Sequence, residues 1–248
     1  MIPVLLLARN GLVKSRQFRR PVYVGDPLNA LRVFSDKCVD EIVLLDIEAT
    51  PQNRAVDLGR VRDLAQECFV PLAYGGGVRD FKTIEQLVRS GIEKVILNTS
   101  VVENPEFLSR AALEFGTSTI VAAIDVKIVD GKPRVFSRAG SKPAGRDPVD
   151  LARELADRGA GEIFLQSIDR DGMRQGYDLA LIRQVAESVP LSVIACGGAG
   201  NAADLRSVLD LGCSAAAGSL FVLYGRLQSV LITYPKAVDL GRVEDVWA

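Results

Sequence analysis

Short apolar runs alternate with amphipathic stretches along the whole chain. Runs of strand length cover residues 2–7, 42–46, 72–74, 94–97, 120–126, 162–166, 192–195 and 215–218. Helical patterns fill the intervals, starting near Pro27, Ala55, Asp80, Asn104, Pro148, Leu179, Asn201 and Leu220. The apolar runs are continuous, which suits strands covered on both faces in a parallel sheet. Eight strand–helix units in 248 residues predict an α/β fold, a (β/α)8 TIM barrel forming one domain over residues 1–248. A doubly wound open sheet is the alternative.

The pattern repeats. Gly76 and Gly197, Asp26 and Asp147, Gly91 and Gly212, and Glu41 and Glu162 each stand 121 residues apart. Coincident offsets predict two fused half-barrels, roughly residues 1–120 and 121–240. The most prominent repeated feature is an apolar run closed by glycines, Tyr74-Gly75-Gly76-Gly77 and Cys196-Gly197-Gly198. Without Cβ the backbone can approach a ligand closely, and the following helix turns its free N–H groups toward an anion. Two such turns predict a substrate with two phosphates.

Composition narrows the chemistry. A net charge of −1 argues against a nucleic-acid partner, and no apolar run is long enough to predict a membrane span. Met1-Ile2-Pro3-Val4 puts no basic segment ahead of its apolar run, so no secretory signal is expected. The four cysteines lack metal-ligand spacing, which predicts reduced thiols in a cytoplasmic protein and no metal. There is no histidine, so proton transfer falls to carboxylates, lysines or tyrosines.

Two segments are longer than ordinary βα loops. Residues 8–26 are rich in Arg and Lys, and are expected to form a loop over the C-terminal mouth that is either a mobile lid or simply solvated. Residues 127–146 contain Asp130-Gly131, a two-residue turn that predicts a hairpin. Asp46, Asp125 and Asp171 end or follow strands, at the face where such barrels keep their chemistry. Each could cap a helix or pair with an arginine, with Asp169–Arg170 the leading candidate for such a pair. Asp125 has no following helix to cap and reads as functional. Cys196 reads as a small buried residue. Glu41, Lys94 and Glu162 begin strands and ring the opposite mouth, either as a salt-bridged plug or as a polar gate.

Ile2-Pro3, Gly25-Asp26-Pro27, Asp40-Glu41-Ile42-Val43-Leu44-Leu45-Asp46, Gly75-Gly76-Gly77, Glu103-Asn104-Pro105, Gly161-Glu162-Ile163, Ser167-Ile168-Asp169-Arg170-Asp171-Gly172 and Gly197-Gly198-Ala199-Gly200 carry a more specific signal. From Ile2 to about Leu223 the chain resembles the cyclase subunit of imidazole glycerol phosphate synthase, the HisF family. The resemblance implies a barrel that takes ammonia from a glutaminase (HisH-like) partner, in a heterodimer, and cyclises a bis-phosphate ribonucleotide without a cofactor. It places phosphate contacts at Gly77, Asn98 and Thr99 on one side, and at Asp171, Gly172, Gly198, Gly218 and Ser219 on the other. It makes Asp125 catalytic, Lys14 substrate-contacting, and Glu41, Lys94 and Glu162 three of four ammonia-gate residues.

The departures are equally specific. Leu6 stands where the family carries a second catalytic aspartate, Cys196 where it has serine, and Met173 where it has threonine. The fourth gate residue, an arginine, would fall ahead of Met1 and is absent. Residues 19–26 and 217–235 resemble paralogues found with surface-polysaccharide (lipopolysaccharide O-antigen) genes, which implies sugar amidation with a third protein. A working cyclase using Asp125 alone, and a non-catalytic scaffold that activates its glutaminase, are the alternatives.

Overall fold

A computed structural model describes residues 1–225 and 229–235. Its strands are β1 (Ile2–Ala8), β2 (Gly11–Arg16), β3 (Arg19–Gly25), β4 (Ile42–Asp46), β5 (Leu72–Gly75), β6 (Lys94–Leu97), β7 (Ile120–Val129), β8 (Lys132–Ser137), β9 (Lys142–Pro143), β10 (Glu162–Ser167), β11 (Ser192–Cys196), β12 (Ser214–Ala217), β13 (Leu223–Tyr224) and β14 (Ser229–Val230). Eight of them, β1, β4, β5, β6, β7, β10, β11 and β12, pair in parallel and close on themselves through β12–β1. This is a (β/α)8 barrel.

The helices are α1 (Pro27–Asp36), α2 (Leu58–Gln66), α3 (Phe81–Arg89), α4 (Thr99–Glu103), α5 (Pro105–Phe115), α6 (Pro148–Asp157), α7 (Leu179–Ala186), α8 (Ala202–Leu209) and α9 (Ser219–Val222). Their starts are written locally. Asp26, Asp57, Asp80, Asp147 and Asp178 each accept a hydrogen bond from a first-turn amide, and Asn201 forms a capping box with Asp204. Each such cap contributes about 1 kcal/mol. Asp26 and Asp147, one repeat spacing apart, do so with proline at the next position.

Alternate residues of the barrel strands build two cores. Leu5, Leu44, Tyr74, Ile124 and Leu165 face outward into the layer against the helices. Val4, Val43, Ala73, Ala123, Phe164 and Ile194 fill the barrel itself. The interior is thus packed below a mouth at the strand C-termini.

Three expectations need correction. Residues 8–26 are not a loop: β2 and β3 form an antiparallel hairpin, with β2 paired to β1 and its Leu12 and Val13 buried. The basic residues on β3 hid an apolar strand beneath them. The helix expected from Leu220 is the single turn of α9, which gives way to β13. The helix expected near Ala55 begins at Leu58, where Asp57 caps it. No helix among the described residues is long and apolar enough to cross a membrane.

Candidate functional site

The strand C-termini open into a cavity of about 760 Å3. Leu6, Ile96, Ala123, Asp125, Phe164 and Gln166 line its floor; Gly77, Asn98 and Thr99 line one wall. Ser15, Phe18 and Pro21 of the β2–β3 hairpin border it from the other side. Leu6 faces inward because residues 2, 4, 6 and 8 share the interior face of β1. It therefore presents hydrocarbon to the space that Asp125 enters.

The wall is shaped by glycine. Gly76 and Gly77 have φ of +109° and +74°, and a Cβ on Gly76 would collide with Asp46 O. The Gly77 N–H donates to Thr50 Oγ1 at 3.3 Å. Asn98 donates to Ala123 O at 3.1 Å and makes no cap bond to α4, leaving the first-turn amides of that helix without a side-chain cap. Thr99 Oγ1 accepts from the Arg138 amide at 3.0 Å, tying this wall to the β8 hairpin. Glu103 holds the same hairpin by a bidentate pair with Arg138 and by bonds from Ser137 and Lys142.

A second group lies beyond the β2–β3 hairpin, and of its members only Ser15 also borders the cavity. Ser15 donates to Asp171 Oδ2 at 2.7 Å, and the Gln17 amide donates to Asp171 O at 2.9 Å. Gly172 packs so closely on Ser15 O, and Gly198 on Gly176 O, that neither admits a Cβ. Lys14 Nζ donates to Val4 O at 2.6 Å and sits within 2.5 Å of where a Gly218 Cβ would be. Ser219 opens α9 beside it.

Burial dominates the electrostatics. Desolvation, then the nearby Asp171 charge, raises the Asp125 carboxyl to about 7. Desolvation lowers the Lys14 ammonium to about 8, opposed by Asp171. Asp171 itself is raised by burial, moderated by the Ser15 hydroxyl and Lys14. Burial also pushes the Cys196 thiol well up, which makes it inert as a nucleophile. Asp46 plays a structural part: Arg54 pairs with it at 2.7 Å, and the amides of Glu48 and Ala49 donate to it.

At the opposite mouth Lys94 Nζ bridges Glu41 at 2.7 Å and Glu162 at 2.9 Å. Burial raises the Glu41 carboxyl despite the ammonium beside it, and its Oε1 is buried with no hydrogen-bond partner. Burial alone would lower Lys94, but the two carboxylates outweigh it and hold the lysine charged.

With this geometry in place, the comparisons decide the family. A family profile described as "Histidine biosynthesis protein" matches residues 1–227. The chain belongs to that family. It is 44% identical over 246 residues to the Pseudomonas aeruginosa protein named "Putative imidazole glycerol phosphate synthase subunit hisF2", covering 97% of this chain and 98% of that one. A Leptospira interrogans protein named "Putative imidazole glycerol phosphate synthase subunit HisF" is 41% identical over 245 residues, 96% of each chain. The imidazole glycerol phosphate synthase subunit HisF of Alkaliphilus metalliredigens is 40% identical over 224 residues, 89% of each.

In this HisF-like barrel, then, Asp125, Gly77, Asn98 and Thr99 meet in one cavity with Leu6. Lys14, Asp171, Gly172 and Gly218 meet beneath the hairpin, whereas Gly198 packs on Gly176 and Ser219 follows Gly218 at the start of α9. Glu41, Lys94 and Glu162 meet at the far end. The expected Asp169–Arg170 pair does not form: Asp169 accepts from the Ile128 amide at 2.7 Å and Arg170 donates to Gly176 O at 2.9 Å. Sequence reasoning missed Gln166, although the alternation Glu162, Phe164, Gln166 places it on the interior face. It also missed Ser15 and Glu103, whose partners lie 156 and 35 residues away.

Proposed function

We propose that this chain is a HisF-like synthase subunit, one domain of two fused half-barrels. In this reading it docks a glutaminase on the Glu41/Lys94/Glu162 face and passes ammonia along the barrel to a phosphorylated ligand at the C-terminal mouth. The pathway it serves is sugar amidation in surface-polysaccharide biosynthesis, together with a third, sugar-amidating protein. Asp125 is the acid/base of the cavity; Gly77, Asn98 and Thr99 hold one phosphate and the cluster around Asp171 and Gly198 a second.

The observation that carries this reading is Leu6. It faces the same cavity as Asp125 and can neither give nor take a proton. General acid/base catalysis is worth about 10²–10⁴-fold, so one carboxylate in place of two should nearly silence ribonucleotide cyclisation. Purified protein given the bis-phosphate ribonucleotide and excess ammonium salt should turn over negligibly, and Leu6→Asp should recover a measurable rate. Robust cyclisation by the unmodified chain would instead establish the second reading, a histidine-pathway cyclase. That reading has its own support, because a carboxyl titrating at about 7 is suited to act as both acid and base. Stimulation of a glutaminase without ammonia transfer to any acceptor would establish a scaffold.

A further inference from the structure

Gln166 is 4% exposed and lines the cavity floor, and its side-chain amide makes no hydrogen bond to another described residue. Parallel register sets it directly beside Asp125 of β7 on one side and Cys196 of β11 on the other. Around these groups the floor is hydrocarbon, from Leu6, Ile96, Ala123 and Phe164. A buried primary amide carries two donors and an acceptor, and leaving them unmade is costly. Its polar end nevertheless opens into the cavity, where a ligand can complete it.

We propose that Gln166 determines ligand specificity, reading a planar carboxamide-type edge on a phosphorylated ligand. The inference deepens the proposed ligand site and rests on it. A carboxamide pairs with a carboxamide by two antiparallel hydrogen bonds, each side giving one N–H and accepting one. A ligand carboxylate offers the Gln166 carbonyl no donor, and an ionised Asp125 alongside repels it. A phosphate at the Gly77–Thr99 wall holds the far end of such a ligand, so the amide edge arrives at the floor oriented.

Nicotinamide mononucleotide and nicotinic acid mononucleotide differ only in carboxamide against carboxylate and make a matched pair of probes. Calorimetry at pH 8 should show the unmodified protein binding the amide at least tenfold more tightly, the usual penalty for leaving a buried partner unpaired. Gln166→Met, which keeps length and removes polarity but leaves the Asp125 charge in place, should cut the preference at least about fivefold while leaving ribose 5-phosphate affinity unchanged. Gln166→Asn keeps the chemistry but shortens the reach, and should restore part of the preference. An amide preference undiminished in Gln166→Met, or no preference in the unmodified protein, overturns the inference while ribose 5-phosphate binding leaves the site reading intact. Absence of ribose 5-phosphate binding overturns both. A large fall in the melting temperature of Gln166→Met would assign Gln166 to the barrel's own stability instead, and the inference would fall.

Discussion

Asp125 should make the barrel less stable than it would be with a neutral side chain, and the deficit should depend on pH. Burial raises its carboxyl from 3.8 to about 7. Well below pH 3.8 the group is protonated in the folded and unfolded chain alike and costs nothing through ionisation. Above 3.8 the unfolded chain loses its proton while the folded one keeps it, so stability falls by about 1.4 kcal/mol per pH unit. The fall stops near pH 7, where the folded carboxyl also ionises and the deficit reaches roughly 4 kcal/mol. Asp125→Asn keeps the shape and cannot ionise. Urea unfolding of both proteins between pH 4.5 and 8.5 should therefore show Asn gaining on Asp steadily and levelling off near neutrality. A difference that does not change with pH, or an Asn variant less stable at pH 8, would refute the buried-carboxyl argument. Such a deficit is a sizeable share of the 5–15 kcal/mol that holds a typical domain together, the expected signature of a group kept for chemistry.

Lys94→Met leaves Glu41 and Glu162 facing each other without their shared cation, on a floor where Glu41 Oε1 already lacks a partner. Because Lys94 is partly exposed, the cost should be about 2 kcal/mol at pH 8, below the full buried-pair figure. It should shrink as the pH falls, because burial raises the Glu41 carboxyl and favours its neutral form; a cost in chemical denaturation that does not change with pH would count against the triad. Gly198→Ala and Gly116→Ala both force alanine to positive φ, +119° and +86°. Only Gly198 would drive its Cβ onto a backbone carbonyl, whereas Gly116 has nothing within 4 Å. The Gly116 variant should lose about 1–3 kcal/mol and the Gly198 variant clearly more, read as shifts in the unfolding midpoint.

Local rules alone determined much of this protein. Continuous apolar runs marked the barrel strands to within three residues at every end, since a strand buried on both faces has no polar position to interrupt it. Asp26, Asp80, Asp147 and Asn201 stand at expected helix starts that the structure realises as caps, because the capping bond spans three residues and needs no tertiary help. Asp130-Gly131 marked a hairpin turn that forms with φ of +48° and +73°. The glycine turns at residues 75–77 and 196–198 marked the mouth, because only a residue without Cβ tolerates the neighbouring backbone there.

The tertiary structure decided which of these groups act together. Resemblance set the phosphate-site residues on two sides of one mouth; the folded chain puts one set in an open cavity and the other under the β2–β3 hairpin. That division comes from contacts such as Ser15 to Asp171, 156 residues apart, which no local pattern encodes. Likewise, nothing in the sequence around Asp125 states that its carboxyl is desolvated, or that an unpaired amide stands beside it. Both follow from the register of β7 on β10, set by closing eight strands into a ring. Charge and burial are properties of that ring, so the raised carboxyl of Asp125 and the opening of Gln166 into the cavity exist only once it closes.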